Sequence, residues 1–288
     1  MRILITGAQG QLAHDLQTAF SGQELTLLSR EELDIRDVTQ VETAVGAARP
    51  DVVVNTAAFV RVDDAEDEIA QSFAVNAGGA GHVARACANT GATLVQISTD
   101  YVYGGQQQRE PLTEENPPSP LNVYGASKLG GECAVQVLCP HHYLVRTCGL
   151  YGVAGVKSRN GNFVQTMLRL ARTGRTATVV DDQHCTPTAT ADLAQAVREL
   201  VAAPAPFGLY HVTNAGQTTW YEFAQRTFEL AGLSPDLSPI STEAFGAPAK
   251  RPPYSVLSSG RYAQVVGEGL PAWEDALERY LQATRAEV

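Results

Sequence analysis

Tyr124 and Lys128, in the stretch SPLNVYGASKLGGE at 119–132, have the types and spacing for proton transfer. Residues i and i+4 share one face of a helix. A lysine ammonium there favours the phenolate and pulls the tyrosine from its ordinary value of about 10 towards neutrality. Such a phenol can give or take a proton at a carbonyl or alcohol oxygen. The chain has only three lysines (Lys128, Lys157 and Lys250) against eighteen arginines, so a lysine here is an unusual choice. A surface aromatic–cation contact would use the same spacing, so the pair needs support from other residues. The segment ISTDYVYGG supplies it, because Ser98, Thr99 and Asp100 end an apolar run. A hydroxyl at that strand end can donate to an oxygen that gathers negative charge.

The glycine loop is a second source of support. In RILITGAQGQLA, Gly7, Gly10 and Ala13 lie between a predicted strand and a predicted helix. The first glycine permits a tight turn, the second a close backbone approach, and a small third residue lets the helix pack on the sheet. The helix N-terminus then offers free N–H groups and a positive dipole to a pyrophosphate. At the end of the second predicted strand, LLSREELD places Ser29 and Arg30 where an acid would select NAD. An arginine there accommodates the extra phosphate of NADP, so NADPH is expected, with NADH left open. Asp34 and Ile35 are expected beside the adenine. Small Ala57 and Ala58 end the third strand and leave room for a cofactor at the sheet edge.

These residues need a scaffold, and the hydrophobic rhythm describes one. Strands are predicted at 2–6, 24–29, 51–57, 93–99, 143–148 and 207–214. Helices are predicted at 10–20, 37–48, 70–91, from near Asn122, and at 161–174, 190–203, 218–233 and 271–284. Residues 176–188 read as a strand and a turn, the Pro-rich 235–253 as a loop, and the acidic DDAEDE (63–68) as an exposed helix start. Several strands are apolar on both faces and alternate with helices, which implies a parallel sheet covered on both sides. The expected class is α/β, a doubly wound, Rossmann-like parallel sheet with right-handed crossovers. A smaller, partly interleaved C-terminal substrate-binding domain follows. The division is expected at 1–148 and 149–288, with a segment around 175–203 returning to the first domain.

Composition narrows the function classes. Of 288 residues, 44% are hydrophobic and 18% charged, as in an ordinary globular protein with ample length for a core. A net charge of −10 with no basic run argues against nucleic acid as the main partner. Met1 leads straight into an apolar strand, and no apolar run approaches the ~18–20 residues of a membrane span, so a cytoplasmic location is expected. The five cysteines are odd in number and include no C-x-x-C, so reduced thiols are expected rather than disulfides or zinc. His14, His184 and His211 show no metal spacing and read as structural. Trp220 and Tyr221, in TTWYEF, read as core of an amphipathic helix rather than as a base-stacking platform.

Together these motifs resemble an extended short-chain dehydrogenase/reductase, and more closely the dTDP-4-dehydrorhamnose reductase family. The likeness spans nearly the whole chain: GAQGQL, RPDVVVNTAAFVRVDDAE, STDYVYGG, SPLNVYGASKLGGE, LVRTCGLYG, NFVQTMLRLA, VVDDQHCTPT, GLYHVTNAGQTTWYEFA and RPPYSVL. The resemblance implies NADPH-dependent reduction of dTDP-4-dehydro-β-L-rhamnose at C4. It makes Tyr124 the proton donor, Lys128 the group that positions cofactor and tyrosine, and Thr99 the assistant at the C4 oxygen. It places Gly10, Gln11 and Leu12 at the cofactor phosphates. Asp34, Ile35, Ala57, Ala58 and Phe59 would run along the cofactor's length. Thr99 and Asp100 would touch the sugar, and Asn162 and Arg251 would face the nucleotide diphosphate. It also admits a homodimer.

The chain departs from the family pattern in places. Cys148-Gly149 stands where RTSWVYG has an aromatic residue, so a wall of the sugar pocket is missing or comes from elsewhere, such as Tyr151 or a partner loop. Gly104 replaces a common acid. Some relatives bind Mg2+ through acidic residues at a dimer contact. Asp15 is one candidate equivalent, but no full set can be matched and no metal site is assigned. Two rival readings share the scaffold: a reductase or epimerase for another nucleotide sugar, and a non-catalytic NADP-binding regulatory subunit. An epimerase usually shows an acid after the second strand, which Ser29-Arg30 opposes. Retention of Thr99, Tyr124 and Lys128 opposes the regulatory subunit.

Overall fold

The computed structural model describes residues 1–106, 109–157 and 161–285. Its strands are β1 (Arg2–Thr6), β2 (Glu24–Leu28), β3 (Val52–Asn55), β4 (Thr93–Thr99), β5 (His142–Thr147), β6 (Leu150–Tyr151), β7 (Ala177–Val180), β8 (His184–Cys185), β9 (Thr188–Ala189), β10 (Gly208–His211), β11 (Thr218–Thr219) and β12 (Leu237–Ile240). Its α-helices are α1 (Gln11–Ala19), α2 (Val38–Ala48), α3 (Asp64–Asp67), α4 (Ile69–Phe73), α5 (Ala80–Thr90), α6 (Val123–Leu138), α7 (Phe163–Arg172), α8 (Thr190–Ala202), α9 (Trp220–Ala231), α10 (Thr242–Phe245), α11 (Gly260–Val266) and α12 (Trp273–Arg285).

Six strands form one sheet in the order β10-β5-β4-β3-β1-β2. Every pairing in it is parallel. The cause is visible within single strands. Ile3, Ile5, Val52, Val54, Val95 and Ile97 point to the face covered by α1 and α8. Their neighbours Leu4, Val53 and Leu94 point to the face covered by α2 and α5. A strand buried on both sides is apolar on both faces, and the polar residues these strands do bury are paired, as Asn55 is with Thr6 and Gln96. The chain leaves β1 for β2 on one side and returns to β3 on the other. Strand order therefore reverses at β1, and ligands of open α/β sheets bind at the carboxyl ends beside such a switch point.

The segment around 175–203 divides in space. Helix α8 packs on α1 in the sheet's core, whereas β7 pairs with β12 in a cluster built on α9. The Pro-rich stretch expected to be a loop holds β12 and α10. Pro239 is accommodated because β12 is an edge strand with a single partner. The helix expected at 70–91 is interrupted by a π-helical turn, Ala74–Gly79, between α4 and α5. That turn aims Asn76 at the loop after β3, where its amide accepts from Phe59 N at 2.8 Å and donates to Phe59 O at 3.0 Å. Gly131 of α6 lies so close to Asn76 O that any Cβ there would overlap it.

Candidate active site

The carboxyl ends of β1, β3, β4 and β5 open into one cleft of about 550 Å³. Its lining includes Gly10, Gln11, Leu12, Ala58, Thr99, Asp100, Tyr124 and Lys128. The sequence motifs, up to 118 residues apart, thus converge on one side of one sheet.

Local chemistry fixes the start of α6. Asn122 caps it by accepting from Gly125 N at 2.7 Å, and its amide donates to Lys250 O at 2.7 Å. Glu66 accepts from Val123 N at 2.8 Å. Gly125 has no side chain because Tyr101 O occupies the space a Cβ would need. Tyr124 is therefore held in the first turn, its ring edge-on to Tyr101 at 5.7 Å. The Thr99 hydroxyl at the end of β4 acts to lower the pKa of the Tyr124 phenol.

Lys128 is buried one turn later, with Nζ donating to Ile97 O at 2.7 Å. Burial lowers its pKa to about 8, opposed by the charge of Glu132. Tyr124 behaves differently from the sequence expectation. Its phenol is pushed up to about 12, not down towards neutrality, because removal from water outweighs the stabilising bond from Thr99. The i+4 spacing brings the two side chains to one face, but the ammonium is directed at the Ile97 carbonyl. Tyr124 is thus a protonated acid in this state.

Asp100 is fully buried beside them. Its carboxyl accepts from Ser255 Oγ at 2.6 Å, Cys148 Sγ at 3.2 Å and Thr99 Oγ1 at 3.1 Å. Burial raises its pKa in spite of those bonds.

The loop after β1 fits a phosphate. Gly7 has φ +69°, and a Cβ there would lie 2.9 Å from Ala57 N. Gly10 precedes α1 with extended backbone and no side-chain cap, so the first-turn N–H groups have no side-chain acceptor. Gln11 reaches across to the later part of the chain. Its Oε1 accepts from Gly152 N and from Asn162 Nδ2, both at 3.0 Å.

Several residues expected at the site lie outside the cleft lining. Asn162 is buried as the cap of α7, and its amide donates to Gln11, Gly152 O and Tyr280. Arg251 pairs with Asp63 through Nη1 and Nη2 and donates to Ala249 O. Ile35 is buried against Gly79, and Asp34 is paired with Arg36, which lowers its carboxyl to about 2. Arg30 is exposed beyond the end of β2. Phe59 is buried and pinned by Asn76. Ala57 packs under Gly7. Asp15 hydrogen-bonds Thr190 and approaches His14 at 3.5 Å.

The cleft also gathers residues the motifs do not announce: Thr56, Val62, Thr147, Leu150, Thr190 and Trp220. Thr147 follows from strand register, since it pairs with Thr99. Among the described residues its buried hydroxyl has no hydrogen-bond partner. Trp220 was expected in the core of α9, and its indole does pack on Phe163 and Phe223. It also forms part of the cleft wall. Among the described residues no group of three or more His, Cys, Asp or Glu could hold a metal ion, and no helix is long and apolar enough to cross a membrane.

The model of the RmlD substrate binding domain family matches residues 1–286. The dTDP-4-dehydrorhamnose reductase of Streptomyces griseus is 46% identical over 284 residues, covering 96% of this chain and 91% of that one. A dTDP-4-dehydrorhamnose reductase from Clostridium acetobutylicum superposes with a TM-score of 0.93 at 39% identity, over 99% of this chain and 100% of that one. Its Bacillus anthracis counterpart, solved in complex with NADP, gives a TM-score of 0.92 at 39% identity, over 98% of this chain and 99% of that one.

Proposed function

We infer that this chain, which belongs to the RmlD substrate binding domain family, is an NADPH-dependent reductase that turns dTDP-4-dehydro-β-L-rhamnose into dTDP-L-rhamnose. The observation that carries this reading is the convergence of Thr99, a protonated Tyr124 and a buried Lys128 on the cleft entered by the glycine loop.

NADPH, when bound, supplies the hydride to C4 of the sugar. The chain's own residues do the rest. The backbone N–H groups at Gly10, Gln11 and Leu12 hold the phosphates. Arg30 meets the adenosine-side phosphate that distinguishes NADPH. Thr99 donates to the C4 oxygen and holds it beside the Tyr124 phenol. Tyr124 releases its proton to that oxygen as charge develops there. Lys128 stays cationic and stabilises the tyrosinate left behind. A compact ammonium suits that place, where a planar guanidinium would not. Asp100 accepts the Thr99 proton at 3.1 Å until the C4 oxygen takes its place as the acceptor.

The direct test follows NADPH absorbance with enzymatically generated dTDP-4-dehydro-L-rhamnose, with NADH in parallel. Substrate-dependent oxidation that favours NADPH is expected. Measurable NADPH binding with no turnover would sink the named substrate, and stoichiometric NAD retained on the purified protein would favour an epimerase.

The charge of Lys128 gives a pH signature. The pH profile of kcat/KM reports groups of the free enzyme. Lys128 is cationic below its depressed value of about 8 and loses its charge above it. The reductive kcat/KM for NADPH is therefore expected to fall as pH rises through about 8. Lys128→Met is expected to run lower throughout and to lack that limb. A profile unchanged to high pH in the parent protein would contradict the assigned role.

A further inference from the structure

Gly149 has φ +55°, a conformation that L side chains rarely adopt. A Cβ built there would lie 3.1 Å from Trp220 Cη2 and 3.2 Å from Pro187 Cα. The volume a side chain would occupy at 149 is thus partly filled by the far edge of the Trp220 ring. That ring is held from behind. Trp220 opens α9, where Thr219 and Glu222 form a reciprocal capping box and Thr219 Oγ1 donates to Asp181 at 2.7 Å. Phe163 lies 4.8 Å from the indole centroid and Phe223 lies 6.2 Å away. The indole has little freedom to swing away, and its exposed edge lines the cleft with Gly149 and Leu150. Thr99, Asp100, Tyr124 and Lys128 belong to the polar lining of the same cleft.

We propose that Trp220, with Gly149 and Leu150, forms an apolar subsite that takes the deoxygenated, methyl-bearing part of the sugar. The proposal rests on the reductase reading and deepens it by naming what this wall selects. A hydroxymethyl group against the indole edge would lose its water without gaining a partner, whereas a methyl group would not. The left-handed Gly149 is needed so that the ring can stand where a side chain would otherwise be.

The test uses the full chain labelled with 5-fluorotryptophan, whose two resonances are assigned with Trp220→Phe. The chain has two tryptophans, Trp220 and Trp273, and Trp273 is buried core. The Trp220 resonance is expected to move with dTDP-L-rhamnose and to stay still with dTDP alone or NADPH alone. A shift already complete with dTDP would make the ring a base contact and overturn the proposal. A shift complete with NADPH would make it a cofactor contact, with the same consequence. In kinetics, Trp220→Leu is expected to raise KM for the sugar nucleotide roughly tenfold, the scale of a lost apolar contact, with NADPH affinity unchanged. If Trp220→Leu fails to fold, Trp220→Phe serves, with a smaller rise. Binding of dTDP-6-deoxy-D-glucose over dTDP-D-glucose, which differ only in the C6 oxygen, is expected in the parent and lost in the variant. Equal ratios in the two proteins overturn the subsite. The resonance needs no turnover. A sugar-dependent shift without NADPH oxidation would remove the reductase reading and leave the subsite standing.

Discussion

Tyr124→Phe is expected to lower kcat for NADPH-dependent reduction by roughly 10²–10⁴-fold, the range of a positioned general acid. The Kd for NADPH is expected to stay within about twofold, because the phenyl ring keeps the edge-on contact with Tyr101. The separation of these two effects is what assigns the role. Tyr124 is protonated in the cleft because burial pushes it up to about 12. At neutral pH the acid form is therefore fully present without a shift towards the phenolate. Its proton leaves only when a stronger base, the developing alkoxide, stands beside it. Stopped-flow NADPH oxidation under single-turnover conditions isolates the chemical step. A variant that retains more than about a tenth of the parent rate would show that another group delivers the proton, and Asp100, itself raised by burial, is the next acid in line. Such a result would leave the family assignment intact and change only the residue that acts.

The parts of this site that were readable in the sequence are those whose residue type has a single physical reason. Gly7 reads as a turn because only glycine tolerates φ +69° against Ala57. Asp37 and Asn122 read as helix starts because their side chains accept from the N–H groups beyond them. Sheet strands read well because burial on both faces makes short, mostly apolar runs, in β3 as VVV and in β4 as LV. What was not readable depends on which distant group arrives. Asn162 is a good ligand in type, but Gln11 and Tyr280 reach its amide in the fold. Arg251 is a good diphosphate clamp in type, but Asp63, the residue before α3, takes its guanidinium. Thr147 and Trp220 carry no local signal, since a threonine ending a strand and a tryptophan opening a helix occur for many reasons. Register brings the first beside Thr99, and the absent side chain at Gly149 admits the second. The direction of the Tyr124 shift is hidden in the sequence for the same reason. Spacing fixes which face Lys128 shares, whereas the Ile97 carbonyl fixes where its ammonium points. Helix α11 has no legible sequence pattern, because seven residues with one buried tyrosine are too short to show one.

The second large effect is expected at Glu132, four residues after Lys128 on α6. Its carboxylate accepts from Arg146 Nε at 2.9 Å and Nη2 at 2.5 Å, and from Ser98 Oγ at 2.5 Å. Both partners of the ion pair are almost wholly buried, with side-chain exposures of 4% and 3%. The guanidinium continues to Tyr103 Oη at 2.5 Å, which meets His211 Nε2 at 3.0 Å. His211 Nδ1 donates to Leu112 O, and burial, followed by the Arg146 charge, lowers its pKa to about 3. The imidazole is therefore neutral and adds no second positive charge to the interior. In Glu132→Gln the Arg146 charge is left uncompensated in a dry interior. A loss of roughly 3–5 kcal/mol in unfolding free energy is expected, the cost of removing one member of a buried pair. Urea denaturation at unchanged m-value measures it. The double variant Glu132→Leu with Arg146→Met is expected to recover most of the loss, since no charge then needs a partner. A loss below about 1 kcal/mol in Glu132→Gln would mean that water reaches the pair and that burial is not what makes it strong. The same substitution has a second, independent consequence at the active site. The charge of Glu132 raises the proton affinity of Lys128 against the effect of burial. Without it Lys128 loses its proton at lower pH, so the fall in reductive kcat/KM is expected to begin below about 8 rather than at it. A folded Glu132→Gln protein whose pH limb stays in place would separate the two effects. Glu132 would then only hold β4 and β5 to α6, with no bearing on the charge of the catalytic lysine.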